Sequence, residues 1–363
     1  MNIGIIGTRG IPNNYGGFEQ FAEFLSVSLV EKGHEVSVYN SHKHTFQEKT
    51  YKGVEIIHCF DPEYKIGTSG QFIYDFNCIR DARKRSFDII LQLGYTSSSI
   101  WAKWLPKKSV IVTNMDGLEW LRSKYSKTVQ SFLLKAEKWA VNSSDYLVSD
   151  SIGIQKYLDK KYNVSSEYIA YGSDLFNDPN EEAIEKYDVN KSEYNMLIAR
   201  LEPENSIETI LDGVVKSNSN YPFLVIGKHE TSFGEYLKSK FKDDSRIKFI
   251  GAVYNQDELN QLRFYSNLYF HGHQVGGTNP SLLEAMGSQA LIAANDNNFN
   301  RAILQNDALY FSKSSDVKRL IDNTIKNDNL TKIEDNVKKI ELEFNWNFII
   351  GKYESFFKKI LNP

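Results

Sequence analysis

Cysteine is scarce: only Cys59 and Cys78 occur in 363 residues. They form no CxxC pair and no disulfide framework, which fits a reducing compartment. No apolar run reaches the ~18 residues of a transmembrane helix, so no span is expected. The opening "MNIGIIGTRG" lacks the charged region and apolar core of a signal peptide. Neither charge sign dominates; the net charge is −3, which gives no reason to expect a nucleic-acid partner. Two phosphate signatures are also missing. Without GxxxxGK[ST] a P-loop NTPase is not expected. GxGxxG is absent, the first glycines falling at Gly4, Gly7 and Gly10. The second strand ends in Tyr39-Asn40, where a dinucleotide fold would place a ribose-binding acid. An NAD enzyme is therefore disfavoured.

What is present is alternation. "NIGIIG" (2–7) reads as a buried strand, a glycine-rich loop follows, and Phe18, Phe21, Ala22, Leu25, Leu29 and Val30 recur at helical period until Gly33. Further strands are predicted at 35–39, 54–60, 87–94, 109–117 and 145–151, with helices at 72–85 and 128–142. Residues 173–193 are polar and acidic and read as an interdomain connection or exposed flap. Strands then resume at 194–200, 222–228, 247–251, 268–272 and 290–295, with helices near 205–217, 232–241, 256–266 and 280–288. A C-terminal amphipathic helix closes the chain. This pattern predicts an α/β protein with two Rossmann-like domains, each with a parallel sheet, facing a central cleft. The expected boundaries are 1–172, 173–342 and a helix in 343–363 packing back on the first domain.

Each half offers a loop suited to an anion: "GTRGIPNNYGGFE" (7–19) and "GGTNPS" (276–281). Helix N-termini carry unpaired N–H groups and partial positive charge, and glycines admit a phosphate to the backbone. A plain strand–turn–helix joint is the alternative for either loop. Pro280 suits a first helical position and Asn279 a cap. Arg200 and Lys228 close two strands of the second half, where they could bind a diphosphate or simply form surface ion pairs. Glu284 could accept two ribose hydroxyls or be an ordinary helix acid. Asp116 and Glu119, in "NMDGLEWLRSKYSK" (114–127), could orient or deprotonate an acceptor hydroxyl; Asp116 could equally cap the next helix. His271 and His273 share a strand face, but no acid or cysteine completes a metal set, so no metal is expected. "WAKWLPKK" (101–108) and "WLRSKYSK" (120–127) mix aromatics with cations, as a membrane-facing or an ordinary amphipathic surface would.

The two halves with "GTRGIPNNYGGFE", "ARLEPEN" and "GGTNPSLLEAM" together resemble retaining GT-B glycosyltransferases of family 4, closest in wording to a bacterial rhamnosyltransferase-like branch. The resemblance spans nearly the whole chain. It implies transfer of a sugar, L-rhamnose from dTDP-L-rhamnose, onto a lipid-linked glycan in surface polysaccharide synthesis. The leaving phosphate would deprotonate the acceptor, without a metal or other cofactor. The enzyme would be cytoplasmic, peripheral on the inner membrane face. Gly16 and Gly17 would sit against the donor's phosphate and sugar, and Arg200 with Lys228 would bind the diphosphate. Gly277, Thr278, Asn279, Pro280, Ser281 and Leu282 would line the donor site, with Glu284 on the ribose. The base would lie near 249–254. Asp116 would be catalytic, with Glu119 and Tyr95 on the acceptor side. Three positions depart from the family. Gly276 stands where the first glutamate of E-x7-E is usual, which implies altered sugar recognition or more room. Asn205 replaces a usual lysine. Met115-Asp116 replaces a usual histidine. A nucleotide-sugar 2-epimerase and a non-catalytic sugar-binding protein are the rival readings.

Overall fold

The computed structural model describes every residue except Tyr15, Ser123, Lys124 and Pro363. The chain divides into two compact units. The first comprises Met1–Leu121, Tyr125–Tyr171 and the chain from Trp346 onward; the second comprises Gly172–Asn345, together with Arg122.

In the first unit the strands are β1 (Asn2–Ile6), β2 (Glu35–Ser41), β3 (Thr50–Tyr51), β4 (Val54–Cys59), β5 (Ile89–Leu93), β6 (Val110–Asn114), β7 (Tyr146–Ser149) and β8 (Glu167–Tyr168). They form one sheet in the order β3-β4-β2-β1-β5-β6-β7-β8. All neighbours are parallel except β3 against β4. The central strands are continuous apolar runs because helices cover both faces. Those helices are α1 (Gly17–Glu31), α2 (Glu63–Ile66), α3 (Gly70–Ala82), α4 (Lys127–Ser143) and α5 (Ile152–Tyr162).

The second unit holds β9 (Asn195–Ile198), β10 (Phe223–Ile226), β11 (Ile247–Gly251), β12 (Leu268–His271), β13 (Ile292–Asn295) and β14 (Leu309–Phe311). Its sheet runs β11-β10-β9-β12-β13-β14, parallel throughout. The helices are α6 (Ile207–Lys216), α7 (Ser232–Phe241), α8 (Gln256–Tyr265), α9 (Pro280–Gly287), α10 (Asn298–Leu304), α11 (Ser314–Asn323) and α12 (Leu330–Lys339). A last helix, α13 (Trp346–Leu361), belongs to the first unit. In both sheets the strand order reverses beside the first strand, between β1 and β5 and between β9 and β12. Ligands of open α/β sheets bind at such points, outside the carboxyl ends of the strands.

The polar segment 173–193 is more than an exposed flap. Phe176, Ile184 and Val189 are buried. Asn180 N–H donates to Gln261 Oε1 at 2.8 Å, and Gln261 Nε2 donates to the Asp178 carbonyl at 3.0 Å. Three apolar anchors and a glutamine clamp tie the segment to α8 despite its acidic composition.

Candidate functional site

In the first unit, the loop after β1 is shaped by side chains. Ile11 N–H donates to Asn40 Oδ1 and Asn40 Nδ2 donates back to the Ile11 carbonyl. Arg9 N–H donates to Glu19 Oε1 at 2.8 Å, and the Arg9 guanidinium grips Glu63 with two bonds. Tyr15 of this loop lies outside the described residues. α1 then begins at Gly17 with Gly16 as a cap residue that carries no side-chain bond. Among the described residues no side chain caps its first turn, which leaves N–H groups there for an anion. Beside the loop, Asp75 is buried and takes a 2.5 Å bond from Ser97 Oγ. Burial pushes its pKa up to about 7, with Asp61 pushing the same way against Ser97 and Arg9.

The segment after β6 brings three of the predicted residues together. Asp116 has φ 44°, a left-handed conformation that aspartate tolerates better than most residues. Its N–H donates to Asn114 Oδ1 at 3.0 Å. Glu119 opens a single 3₁₀ turn, Glu119–Leu121. The following α4 is capped by Ser126, not Asp116. Tyr95 lies beneath, 2 % exposed, its hydroxyl donating to the Gly117 carbonyl at 3.4 Å. Burial raises its pKa well above the usual phenol value, and Glu137, Glu119 and Asp116 add to that. Tyr95 thus supports the segment from below.

In the second unit, Arg200 and Lys228 sit just past β9 and β10. Register pairs Ile198 with Ile226, so both cations leave the sheet at the same level on adjacent strands. Both are exposed, and among the described residues neither forms an ion pair. The ion-pair alternative is thus absent there. Asn205 braces the turn: its Nδ2 donates to the Arg200 carbonyl at 2.8 Å. A Cβ at Gly272 would stand 2.0 Å from the Asn205 carbonyl oxygen, so only glycine allows these two loops to meet.

The glycine-rich loop differs from expectation in three respects. First, the N-terminus of α9 has used its own donors. Pro280 has no N–H, Ser281 N–H donates to Asn279 Oδ1, and Leu282 and Leu283 N–H donate to the Asn279 carbonyl. Asn279 is the cap, as its sequence position suggested, and that cap occupies the amides an anion was expected to use. Second, Leu282 is 1 % exposed and belongs to the core, and Thr278 is 2 % exposed. The Gly276 and Gly277 N–H groups have no partner among the described residues. Third, Gly276 has φ 146° with nothing within 4 Å of a Cβ built on it. Space is plentiful; backbone conformation is what keeps a glutamate out.

Glu284 is neither free nor simply exposed. Its Oε2 accepts from Arg263 Nη2 at 2.6 Å, and Arg263 is 1 % exposed. Arg263 Nη1 also donates to Asn260 Oδ1 at 3.0 Å. The remaining oxygen of Glu284 has no partner among the described residues. Arg263 escaped the sequence reading, although it falls on the apolar stripe of α8 with Leu259 and Leu262. His271 and His273 stack, centroids 4.4 Å apart. Among the described residues no cluster of three or more potential metal ligands occurs.

In the two aromatic–basic stretches the indole N–H groups of Trp101 and Trp120 turn inward, while the described lysines stay exposed. Trp101 Nε1 donates to the Phe72 carbonyl and Trp120 Nε1 to the Tyr157 hydroxyl. Ser123 and Lys124 of the second stretch lie outside the described residues. Trp104 stays 48 % exposed, and α4 adds Trp139 and Leu134 at its surface. No helix of the described residues is long and apolar enough to cross a membrane.

Residues 1–174 match a family described as a domain of unknown function, DUF1972. A stretch of 59 residues is 41% identical to an uncharacterized 42.6 kDa protein in the cps region of Klebsiella pneumoniae, covering 16% of each chain. Solved structures match along almost the whole length. Sucrose-phosphate synthase from Thermosynechococcus elongatus superposes with TM-score 0.78 at 14% identity, over 99% of this chain and 98% of that one. HepE from Anabaena, in complex with UDP, gives 0.77 at 14% over 99% and 100%. A glycosyltransferase from Rickettsia africae gives 0.75 at 15% over 99% and 98%. With two parallel-sheet units and this likeness along its length, the chain has the GT-B fold of those glycosyltransferase structures.

Proposed function

We propose that the protein is a retaining glycosyltransferase that moves a sugar from a nucleotide-diphosphate donor onto a glycan in surface polysaccharide synthesis. The observation that carries this reading is the pair of exposed cations, Arg200 and Lys228, without an ion-pair partner among the described residues, at the same level on adjacent strands next to the strand-order reversal of the second unit. A leaving diphosphate gains negative charge, and two fixed cations stabilise it as a metal would. HepE structures hold UDP and UDP-glucose, which supports a nucleotide-sugar donor here. The relative from a cps region supports polysaccharide synthesis. We assign L-rhamnose, from dTDP-L-rhamnose, as the sugar, on the resemblance of the motifs and on Gly276 in place of an acid. The acceptor is a lipid-linked glycan, oriented by Asp116 and Glu119.

A thermal-shift screen with dTDP-L-rhamnose, UDP-glucose and GDP-mannose tests the donor, because a ligand that binds the folded state raises the melting point. Selective stabilisation by UDP- or GDP-sugars would overturn the rhamnose assignment. Arg200→Ala should lower kcat/KM about a hundredfold or more while the fold persists. Donor consumed without acceptor would mark an epimerase, and no consumption with any acceptor a binding protein. For the membrane, Trp104 and Trp139 with Lys103, Lys135 and Lys138 form the exposed basic–aromatic surface. Co-sedimentation with phosphatidylglycerol vesicles that survives Lys103→Glu with Lys135→Glu would remove its support.

A further inference from the structure

The reversal point of the second sheet lies between β9 and β12, and Leu197 pairs with Phe270 across it. Arg200 stands three residues beyond Leu197, and His273 three beyond Phe270. The two residues therefore flank the reversal point at one level. His273 is the outer member of a column. Its ring stacks on His271 with planes 18° apart, and His271 lies 6.4 Å from the ring of Tyr269. Tyr269 in turn shares a 2.8 Å hydrogen bond with Ser281 Oγ, in the first turn of α9. The column thus runs from the glycine-rich loop's helix to the level of Arg200.

Its polar atoms are unspent. His271 is 1 % exposed, and among the described residues neither of its ring nitrogens has a partner; Nδ1 of His273 has none either. Buried polar atoms without partners are uncommon and costly, and they concentrate where a ligand completes the set. The charged groups facing the pair are all cations. Burial holds His271 well below the usual imidazole range, with His273 and Arg263 adding to it. Burial likewise lowers His273 to about 4, helped by Arg122 and Arg200. Arg263 is itself held by Glu284. Both rings are neutral near pH 7, and each can donate one hydrogen bond and accept one. The amides of α9, meanwhile, are occupied by Asn279. A diphosphate at this point needs donors from elsewhere.

We propose that His273 binds the diphosphate of the donor through its ring N–H, and that His271 is a positioning residue that fixes the His273 ring by stacking. This rests on the reading of the second unit as the nucleotide-sugar site. A diphosphate brought beside His273 replaces a cationic surrounding with an anionic one. The imidazole then takes up a proton from solvent on binding, which strengthens the contact to a charged hydrogen bond.

Calorimetry of the full chain with UDP, dTDP and GDP, and with UMP, dTMP and GMP, tests this. Titrations run in phosphate and in Tris separate proton uptake from intrinsic heat. The wild type should bind a nucleoside diphosphate with proton uptake near neutral pH. His273→Ala should weaken that binding about tenfold or more, weaken the monophosphate less, and abolish the uptake. His273→Asn, which keeps a polar side chain but cannot titrate, should also abolish it, and serves if the alanine variant fails to fold. His271→Phe should keep the stack and the affinity, whereas His271→Ala should lose affinity. Diphosphate binding and proton uptake unchanged in both His273 variants, with Arg200→Ala defective, would overturn the inference and leave the donor site standing. No diphosphate binding by the wild type would overturn the donor site and this inference with it.

Discussion

Arg263 and Glu284 show what a residue can do that its sequence position conceals. A guanidinium 1 % exposed is tolerable only with its charge matched, and here two of its three nitrogens are bonded while Nε has no partner among the described residues. Glu284 supplies the match at 2.6 Å and Asn260 a second acceptor. Glu284→Ala should therefore cost about 3–5 kcal/mol of stability without any ligand present. Arg263→Met in the same chain should recover most of it by replacing the stranded charge with apolar volume. Urea unfolding of the three proteins decides: an alanine variant as stable as wild type would mean the pair carries no stability. A glutamate that only bound ribose would leave the unliganded protein unchanged. The sequence displayed Glu284 because it stands alone among apolar neighbours. Arg263 was hidden because a charged residue on a helix is ordinarily solvated, and only its spacing from Leu259 and Leu262 gave it away. Gly276 was visible as a departure, but its cause, a backbone at φ 146°, is a property of the folded loop.

Among the elements, the segment carrying Asp116 and Glu119 is tied through Tyr157 of α5 to a buried carboxylate of α4. Glu137, in α4, is 1 % exposed. Its Oε1 accepts from Tyr157, Lys161 and Tyr162, at 2.8, 2.8 and 2.6 Å. Trp120 Nε1 donates to the same Tyr157 hydroxyl at 3.1 Å, which anchors the 3₁₀ turn that Glu119 opens. Tyr157→Phe removes the anchor and leaves the ring packing. On the proposed assignment it should lower kcat/KM for the acceptor several-fold while nucleoside diphosphate affinity and Tm barely change. Equal losses for donor and acceptor would show that the anchor does not act on this segment. Nothing in the sequence ties Trp120 to Glu137, since the link crosses three elements. Strands fared better. The central ones, such as β1, β5, β6, β10 and β12, are apolar runs bounded by glycine or polar residues, and the sequence delimits them to within a few residues. β3, β8 and β14 span two or three residues and leave no periodic signal. α11 and α12 carry only three apolar residues each, Val317, Leu320 and Ile321 in one and Leu330, Ile333 and Val337 in the other, among many charged ones, so their sequences read as polar.

At the scale of the whole molecule, the first unit is built from both ends of the chain. α13 buries Trp346, Ile349, Ile350, Tyr353, Phe356, Phe357 and Ile360. Trp346 stacks on Phe24 with centroids 4.3 Å apart, Tyr353 packs on Phe21 at 5.1 Å, and Asn114 Nδ2 donates to the Tyr353 hydroxyl. Each such side chain contributes about 1.5–3 kcal/mol on burial, against a typical domain stability of about 5–15 kcal/mol. Seven of them together contribute about 10–21 kcal/mol, as much as the whole of that margin. The second unit, by contrast, takes almost all of its residues from one continuous stretch, Gly172–Asn345. A chain ending at Asn345 should therefore lose the first unit and keep the second. Hydrogen exchange measures this directly: amides of β1, β5 and β6 should exchange at unfolded-state rates, while those of β9, β10 and β12 keep their protection. Full protection of β1 in the shortened chain would show that the first sheet holds without α13. Loss of protection throughout would show that the two units unfold as one, since a cooperative pair exposes both cores when either fails.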